Sequence, residues 1–132
     1  NYCKNKLALI IPARNEGKAV LPLFESISKQ TYDRRYFDVF VVVKDFDDPV
    51  IEYAKKFGAK VFVDEKQTCK GDCLDSTIKN LLKDYPNVYD GYLIVDADCV
   101  LDTRFMEEIN NALETGAYVI NAKKMVKKPC FY

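Results

Sequence analysis

The stretch Tyr92-Leu-Ile-Val-Asp-Ala-Asp-Cys99 decides how the rest of the chain is interpreted, because an apolar run ends there in two carboxylates separated by one residue. Such a run predicts a short strand of a parallel sheet that is buried on both faces. Residues i and i+2 of an extended segment project to the same side, so Asp96 and Asp98 are expected to converge. Two converging carboxylates repel each other unless a cation or hydrogen-bond donors of a ligand lie between them. On its own, the triplet also fits a solvated turn before a helix that Asp102 or Thr103 caps.

Outward from this stretch, strand patterns alternate with helical patterns along the chain. The other predicted strands are Lys6–Ile11, Asp38–Val43, Lys60–Val63 and Tyr118–Asn121. Helices are predicted between them, beginning near Val20, at Pro49, at Asp72 and near Arg104. This alternation predicts an α/β fold with right-handed crossovers and a mainly parallel sheet.

The order of the strands places the polar loops. If the order is 3-2-1-4, the chain adds strands in one direction from the first strand and then continues on its other side with the fourth. Ligands bind at this switch point, outside the carboxyl ends of the first and fourth strands. The loops there are 12–17 and 96–98, and Asp45 follows the neighbouring second strand. We therefore expect the chemically interesting side chains to gather at one edge of the sheet.

Composition bounds the class of protein. The 132 residues suffice for one domain, and 20 basic residues balance 20 acidic ones, so no overall charge indicates nucleic acid or anionic membrane as a partner. The chain has no histidine, which excludes Ser-His-Asp and Cys-His catalysis and zinc-imidazole sites. The longest apolar run is far shorter than the ~20 residues of a membrane helix. Because Asn1 comes first and the only methionines are Met106 and Met125, we expect a piece of a longer protein.

The five cysteines are an odd number in a chain with no visible secretory leader. This favours reduced thiols with structural or incidental roles in a cytosolic protein. Cys69 and Cys73 would meet across one helical turn, but no further metal ligands cluster near them in the sequence.

The two aspartates suggest a metal and a nucleotide. Carboxylate oxygens suit Mg²⁺ or Mn²⁺, which keep several waters and share substrate phosphates. The chain has only five glycines and neither a G-x-G-x-x-G motif nor a Walker lysine. A metal held by Asp96 and Asp98 would then replace a glycine-rich loop as the counter-charge of a diphosphate.

A strand ending in Ile-Ile-Pro-Ala-Arg-Asn-Glu16, a second ending in Asp45, then Lys70-Gly71 and a strand ending in Asp-Ala-Asp98 resemble the family 2 glycosyltransferases. The resemblance covers essentially the whole chain but only the family's amino-terminal, nucleotide-binding half. It implies a GT-A fold, a Rossmann-like three-layer arrangement, forming one nucleotide-sugar-binding domain over 1–132 without the acceptor-binding half.

The resemblance also implies roles for individual residues. The loop containing Pro12, Ala13, Arg14 and Glu16 would line the nucleoside, and Asp45 would accept a hydrogen bond from the base. Lys70 would lie near the base and phosphates. Asp96 would face the ribose or the metal, and Asp98 would ligate Mn²⁺ or Mg²⁺. These residues are Pro12, Ala13, Arg14, Glu16, Asp45, Lys70, Asp96 and Asp98.

The implied reaction is an inverting transfer of a sugar from a nucleotide-diphospho-sugar, with a UDP-sugar expected, to a hydroxyl of a saccharide or lipid-linked acceptor. The parent protein would act in the cytoplasm or at the cytoplasmic face of the membrane, in cell-envelope or polysaccharide synthesis. No position before Tyr132 matches the family's catalytic base, and the chain has no tryptophan.

Several alternatives remain open at this stage. Asp47 or Asp48 would take the roles given to Asp45 if the loop after the second strand is shorter than in the family. The chain would otherwise be a non-catalytic nucleotide-sugar-binding module. A nucleotidyltransferase ranks lower because no glycine-rich loop follows the first strand, and a receiver domain ranks lower still.

Overall fold

The computed structural model describes residues 5–13, 16–65, 79–80, 83–86 and 88–114. The described strands are β1 (Leu7–Pro12), β2 (Phe37–Val43), β3 (Lys60–Val63) and β4 (Gly91–Ile94). The described α-helices are α1 (Leu21–Ser28), α2 (Val50–Phe57) and α3 (Phe105–Glu114), with short 3-10 helices at Gly17–Val20 and Arg34–Tyr36. The predicted strand 118–121 lies outside the described residues. Of the helix predicted to begin at Asp72, only 79–80 and 83–84 are described, and they are helical.

The sheet has the predicted architecture. All three strand pairs are parallel, and the order is β3-β2-β1-β4. Leu7 lies opposite Phe37 on one side and opposite Gly91 on the other, while Phe40 lies opposite Lys60. The predicted α/β fold and the predicted strand order are therefore confirmed.

Burial follows position in the sheet. Apart from Asp38, the central strands are apolar on both faces because helices or loops cover both sides, and Leu7, Ile10, Phe40 and Val41 are fully buried. In β4, Leu93 is buried, but Tyr92 and Ile94 are only half-buried. The predicted burial of β4 on both faces is thus wrong for these two side chains, since β4 lies at the edge of the described sheet.

Two turn-forming residues set the helix boundaries as expected. Pro22 lies in the first turn of α1, where a missing N–H costs no helical hydrogen bond. Gly58 ends α2 with φ of 93°, and its N–H donates to the carbonyl oxygens of Ala54 and Lys55. The rings of Phe24 and Phe57 stack with centroids 4.6 Å apart, which packs α1 against the end of α2.

Helix α3 is fastened to the start of the chain by a buried polar cluster. The Oδ1 atom of Asn110, which is 1% exposed, accepts from the backbone N–H of Asn5 at 2.8 Å and from its Nδ2 at 2.9 Å. The Tyr32 hydroxyl lies 3.0 Å from the same oxygen and 2.5 Å from the Asn5 carbonyl oxygen. Such satisfied buried polar groups fix one arrangement of α3 against β1.

Candidate functional site

The loop after β1 begins inside the sheet. Ala13 is buried, and its N–H donates to the Val42 carbonyl oxygen at 2.9 Å, which extends the β1–β2 ladder by one residue. Glu16 is half-buried, and its carbonyl oxygen accepts from Ala19 at 3.0 Å at the start of the first 3-10 helix. Pro12 and Ala13 thus lie at the carboxyl end of β1, while Arg14 lies outside the described residues.

The loop after β2 is a tight turn stabilised by one buried carboxylate. Asp48 is 5% exposed, its Oδ1 accepts from Val50 N–H at 3.0 Å, and its own N–H donates to the Asp45 carbonyl oxygen at 3.3 Å. A side chain that accepts from the first N–H of a helix has a structural role. Asp48 thus has a structural partner at the start of α2, whereas Asp45 and Asp47 are exposed at the edge; which of the three contacts a ligand stays a prediction.

The loop after β4 departs from the extended geometry that the sequence predicts. The N–H of Val95 donates to the Ile10 carbonyl oxygen at 3.0 Å and continues the β1–β4 ladder. A turn then follows, in which the Cys99 N–H donates to the Asp96 carbonyl oxygen at 3.1 Å. Asp96 and Asp98 are therefore not the i and i+2 side chains of a straight strand. Asp96 is half-buried and Asp98 is exposed, so the two carboxylates differ in access to solvent.

Two polar side chains of α1 and its carboxyl end hold the segment that follows Asp98. The Oγ of Ser26 accepts from Leu101 N–H at 3.0 Å. The Nε2 of Gln30 donates to the Asp102 carbonyl oxygen at 2.6 Å, and its Oε1 accepts from Met106 N–H at 2.9 Å. No local sequence pattern marks Ser26 or Gln30 as part of the site, because the contacts join positions more than 70 residues apart. They brace the loop that carries the candidate metal ligands.

The next helix begins with a cap. Asp102 accepts from Arg104 N–H through Oδ1 at 3.0 Å, and its carbonyl oxygen accepts from Phe105 N–H at 3.0 Å. The sequence assigned this capping role to Asp102 or Thr103, and the structure gives it to Asp102. The cap thus belongs to a residue other than the two candidate ligands, and capping does not by itself explain Asp96 and Asp98.

The loops after β1, β2 and β4 share one edge of the sheet. Because β2 and β4 flank β1 in register, and adjacent strands lie about 4.8 Å apart, the β2 and β4 loops stand roughly 10 Å apart across β1. Asp45 lies on one side of this gap, and Asp96 and Asp98 lie on the other. A ligand that reaches both sides must be elongated.

The donors on the β4 side limit what kind of metal fits. Among the described residues, no three histidine, cysteine or acidic side chains form a group able to hold a metal ion. Two carboxylates of one loop do fit a Mg²⁺ or Mn²⁺ that takes its other ligands from water and substrate phosphates. Lys70, the predicted contact to base and phosphates, lies outside the described residues.

The cysteine beside this loop corrects one prediction. Cys99 is fully buried and is disulfide-bonded. The prediction of reduced thiols is therefore wrong for Cys99. The other four cysteines lie outside the described residues.

One further exposed side chain at this edge was not singled out by the sequence analysis. Phe46 follows Asp45 and is 71% exposed. Phe46 lies in a polar loop, where no periodic pattern of apolar residues predicts whether a side chain is buried or exposed.

No helix in the described part of the chain is long and apolar enough to cross a membrane.

By sequence, no protein-family profile matches the chain, and no curated protein matches it. Solved structures do match. Residues 1–349 of TarS from S. aureus share 21% identity at a TM-score of 0.69, with 83% of this chain and 32% of that one covered. The same protein in complex with UDP-GlcNAc gives 19% identity and a TM-score of 0.63 over 83% of this chain and 31% of that one.

A mannosyltransferase from Pyrobaculum calidifontis, solved with GDP-Man and Mn²⁺, also matches. It shares 17% identity at a TM-score of 0.69, with 89% of this chain and 34% of that one covered. The chain thus spans about a third of the length of these structures. The order β3-β2-β1-β4 and these likenesses together show that the chain has the Rossmann-like α/β fold of GT-A-type glycosyltransferases.

Proposed function

We propose that this chain is the nucleotide-sugar-binding part of an inverting family 2 glycosyltransferase of hexosyltransferase type, with a UDP-sugar as donor. The observation that carries the proposal is the placement of Asp45 and of the Asp96–Asp98 turn on either side of the β1 end, at the point where the strand order reverses. Similar structures hold UDP-GlcNAc or GDP-Man, and one of them also holds Mn²⁺.

The proposed ligand lies along the edge with its two ends in different environments. Pro12, Ala13, Arg14 and Glu16 line the nucleoside, Asp45 accepts a hydrogen bond from the base, and Lys70 lies near the base and phosphates. Asp98 ligates the metal, and Asp96 faces the ribose or the metal. The exposure of Asp98 suits a ligand to an ion that keeps waters, and the half-buried Asp96 suits a contact at the base of the crevice.

The proposed reaction is attack of an acceptor hydroxyl on the anomeric carbon, with the sugar–diphosphate bond breaking on the opposite face. When bound, the metal would neutralise the charge that builds on the departing diphosphate. The described part of α3 offers no base toward this edge. The Glu107 carboxylate accepts from the Thr31 hydroxyl at 2.6 Å. Both Glu107 and Glu108 also form ion pairs with Arg104, whose Nη2 lies 3.5 Å from Glu107 Oε1 and 3.3 Å from Glu108 Oε1. We therefore propose that segments beyond this chain supply the base and bind the saccharide or lipid-linked acceptor.

This absence of an assigned base keeps a second function under consideration, that of a nucleotide-sugar-binding module without transfer. The role in cell-envelope or polysaccharide synthesis follows from the glycosyltransferase proposal alone. The expected cytoplasmic location, or cytoplasmic face of the membrane for the parent protein, stays a prediction.

Ligand binding tests the proposal directly. Thermal unfolding of the chain is measured with UDP, GDP, dTDP or CDP in the presence of Mn²⁺ or Mg²⁺. A ligand at 100 times its dissociation constant adds about 2.7 kcal/mol to the unfolding free energy. A folded chain that shows no shift with any of these nucleotides would contradict the proposal.

A matched pair of variants separates the metal role from general charge. Asp98→Asn removes one negative charge and the better ligand oxygen, so it should abolish the metal-dependent part of nucleotide binding while the chain stays folded. Asp84→Asn removes the same charge from an exposed position that precedes β4, at the opposite edge, and should leave binding unchanged. Equal loss in both variants would show that net charge, and not metal ligation, controls binding.

Turnover separates enzyme from module. The chain and its longer parent are incubated with labelled UDP-sugars and candidate acceptors, and both product and free UDP are followed. Transfer by the parent alone supports the proposed division of labour. Binding without transfer by either protein, for every donor that binds, would favour the module.

A further inference from the structure

Phe46 presents an aromatic ring to solvent at the edge where the proposed ligand lies. It is 71% exposed, whereas the other large exposed apolar side chains among the described residues, Leu21 and Val88, are 40% and 42% exposed. Single exposed apolar residues are common and need no explanation by themselves. The position of this one, directly after Asp45 at the carboxyl end of β2, is what makes it a candidate contact.

The turn around Phe46 is closed by backbone and side-chain hydrogen bonds. The Asp48 N–H donates to the Asp45 carbonyl oxygen and closes the turn, and the buried Asp48 carboxylate accepts from the Val50 N–H at the start of α2. Ile51 N–H donates to the Asp48 carbonyl oxygen at 3.1 Å and continues the same anchorage. In this turn Asp45, Phe46 and Asp47 all lie at the surface.

Charge determines which part of an elongated ligand suits this side of the gap. The exposed carboxylates of Asp45 and Asp47 flank Phe46, and they would repel a diphosphate. The diphosphate belongs with the metal ligands of the β4 loop, roughly 10 Å away across β1. The neutral end of the ligand therefore falls on the β2 side, where an exposed aromatic residue follows an exposed hydrogen-bond acceptor in the same turn.

We propose that Phe46 stacks on the nucleobase of the donor and supplies affinity, while Asp45 supplies discrimination between bases. This inference rests on the proposed function. Stacking on an aromatic ring tolerates any base because every base has a π-face, and it contributes roughly 5- to 150-fold in affinity. A carboxylate, in contrast, accepts a hydrogen bond only from a base that presents a donor there.

A base-free ligand gives the first test. Isothermal titration measures dissociation constants for UDP, GDP and inorganic pyrophosphate, each with Mg²⁺, in the wild-type chain, Phe46→Ala and Phe46→Tyr. Phe46→Ala should weaken UDP and GDP alike, by about 10-fold or more, and leave pyrophosphate unchanged. Phe46→Tyr keeps the aromatic face and should restore nucleotide affinity. Val88→Ala removes an exposed apolar side chain just before β4, at the opposite edge, and serves as the control.

A fluorescence measurement gives the second test, because the chain contains no tryptophan. Phe46→Trp introduces a single reporter that should be quenched by UDP with Mg²⁺ and not by pyrophosphate with Mg²⁺. Val88→Trp places the same reporter at the far edge and should show no quenching.

The outcomes distinguish the two proposals. Unchanged UDP affinity in Phe46→Ala, or quenching of Val88→Trp as strong as that of Phe46→Trp, overturns stacking while the proposed function stands. An equal loss of pyrophosphate and UDP in Phe46→Ala overturns stacking too, because it shows a distorted metal site. A wild-type chain that is folded but binds neither UDP nor GDP overturns both proposals.

Discussion

Replacing Ser26 with alanine tests how the loop of the candidate metal ligands is held. Ser26 is 7% exposed, and its Oγ donates to the Leu23 carbonyl oxygen at 2.7 Å while accepting from Leu101 N–H at 3.0 Å. Leu101 is 2% exposed, so Ser26→Ala leaves a buried N–H without this acceptor. Leu101 comes three residues after Asp98. The variant therefore perturbs the segment that leads away from the proposed metal site.

The expected cost is the difference of two terms. A buried donor that loses its acceptor costs about 1–3 kcal/mol. Alanine is the better helix former, by about 0.5 kcal/mol, and recovers part of that. We expect a net loss of about 1–2 kcal/mol, or roughly 4–8 °C in Tm for a chain of this size.

Ser28 provides a matched control on the same helix. Its Oγ donates to the Glu25 carbonyl oxygen at 2.6 Å, the same local bond that Ser26 makes to Leu23, but Ser28 is exposed. Ser28→Ala should therefore be neutral or slightly stabilising. Urea unfolding followed by circular dichroism measures both variants. If Ser26→Ala and Ser28→Ala agree within about 0.3 kcal/mol, the Leu101 bond does not hold the loop, and the bracing role is wrong.

Two further predictions concern stability. The Tyr89 hydroxyl donates to Asp38 Oδ2 at 2.6 Å, and burial, followed by this bond, raises the pKa of Tyr89. Its contribution is thus complete below the ordinary tyrosine pKa of about 10 and is lost as the pH rises above it. In urea unfolding, the stability advantage over Tyr89→Phe should therefore be constant up to about pH 9 and shrink between about pH 9.5 and pH 11; a constant difference over the higher range would contradict this. Gly58→Ala should cost about 1–2 kcal/mol through backbone strain alone, because φ is 93° and a Cβ would meet nothing within 4 Å. Gly17→Ala, at φ of 54°, should cost less, and equal thermal shifts for the two would refute the strain argument.

The architecture was predictable because it depends on local patterns. Alternating apolar strands and amphipathic helices predict the parallel sheet, and Pro22 and Gly58 mark helix boundaries through their own backbone preferences. The convergence of Asp45 with the Asp96–Asp98 segment at one edge then follows from the strand order. These features need no knowledge of which distant side chains meet.

The details of the site were less predictable because they depend on long-range contacts. The turn at 96–99 replaces the expected straight strand, and its exit is held by Ser26 of α1 and by Gln30, which follows the end of α1. Two serines two residues apart on α1 look alike in the sequence, yet only Ser26 accepts the Leu101 N–H. The disulfide at Cys99 likewise depends on which thiol approaches it, and residue counts do not show that.

The buried cluster around Asn110 has a consequence for the synthesis of the chain on the ribosome. The side-chain partner of Asn5 comes 105 residues later in the chain. The bonds between Asn5 and Asn110 therefore cannot form when the apolar residues of the adjacent β1 leave the exit tunnel. At 5–20 residues per second, about 5–20 s pass before Asn110 emerges. Over that interval the β1 side chains that share a core cluster with Phe105 and Ile109 of α3, such as Leu7 and Leu9, lack those partners, and the nascent chain presents them as a binding target for chaperones.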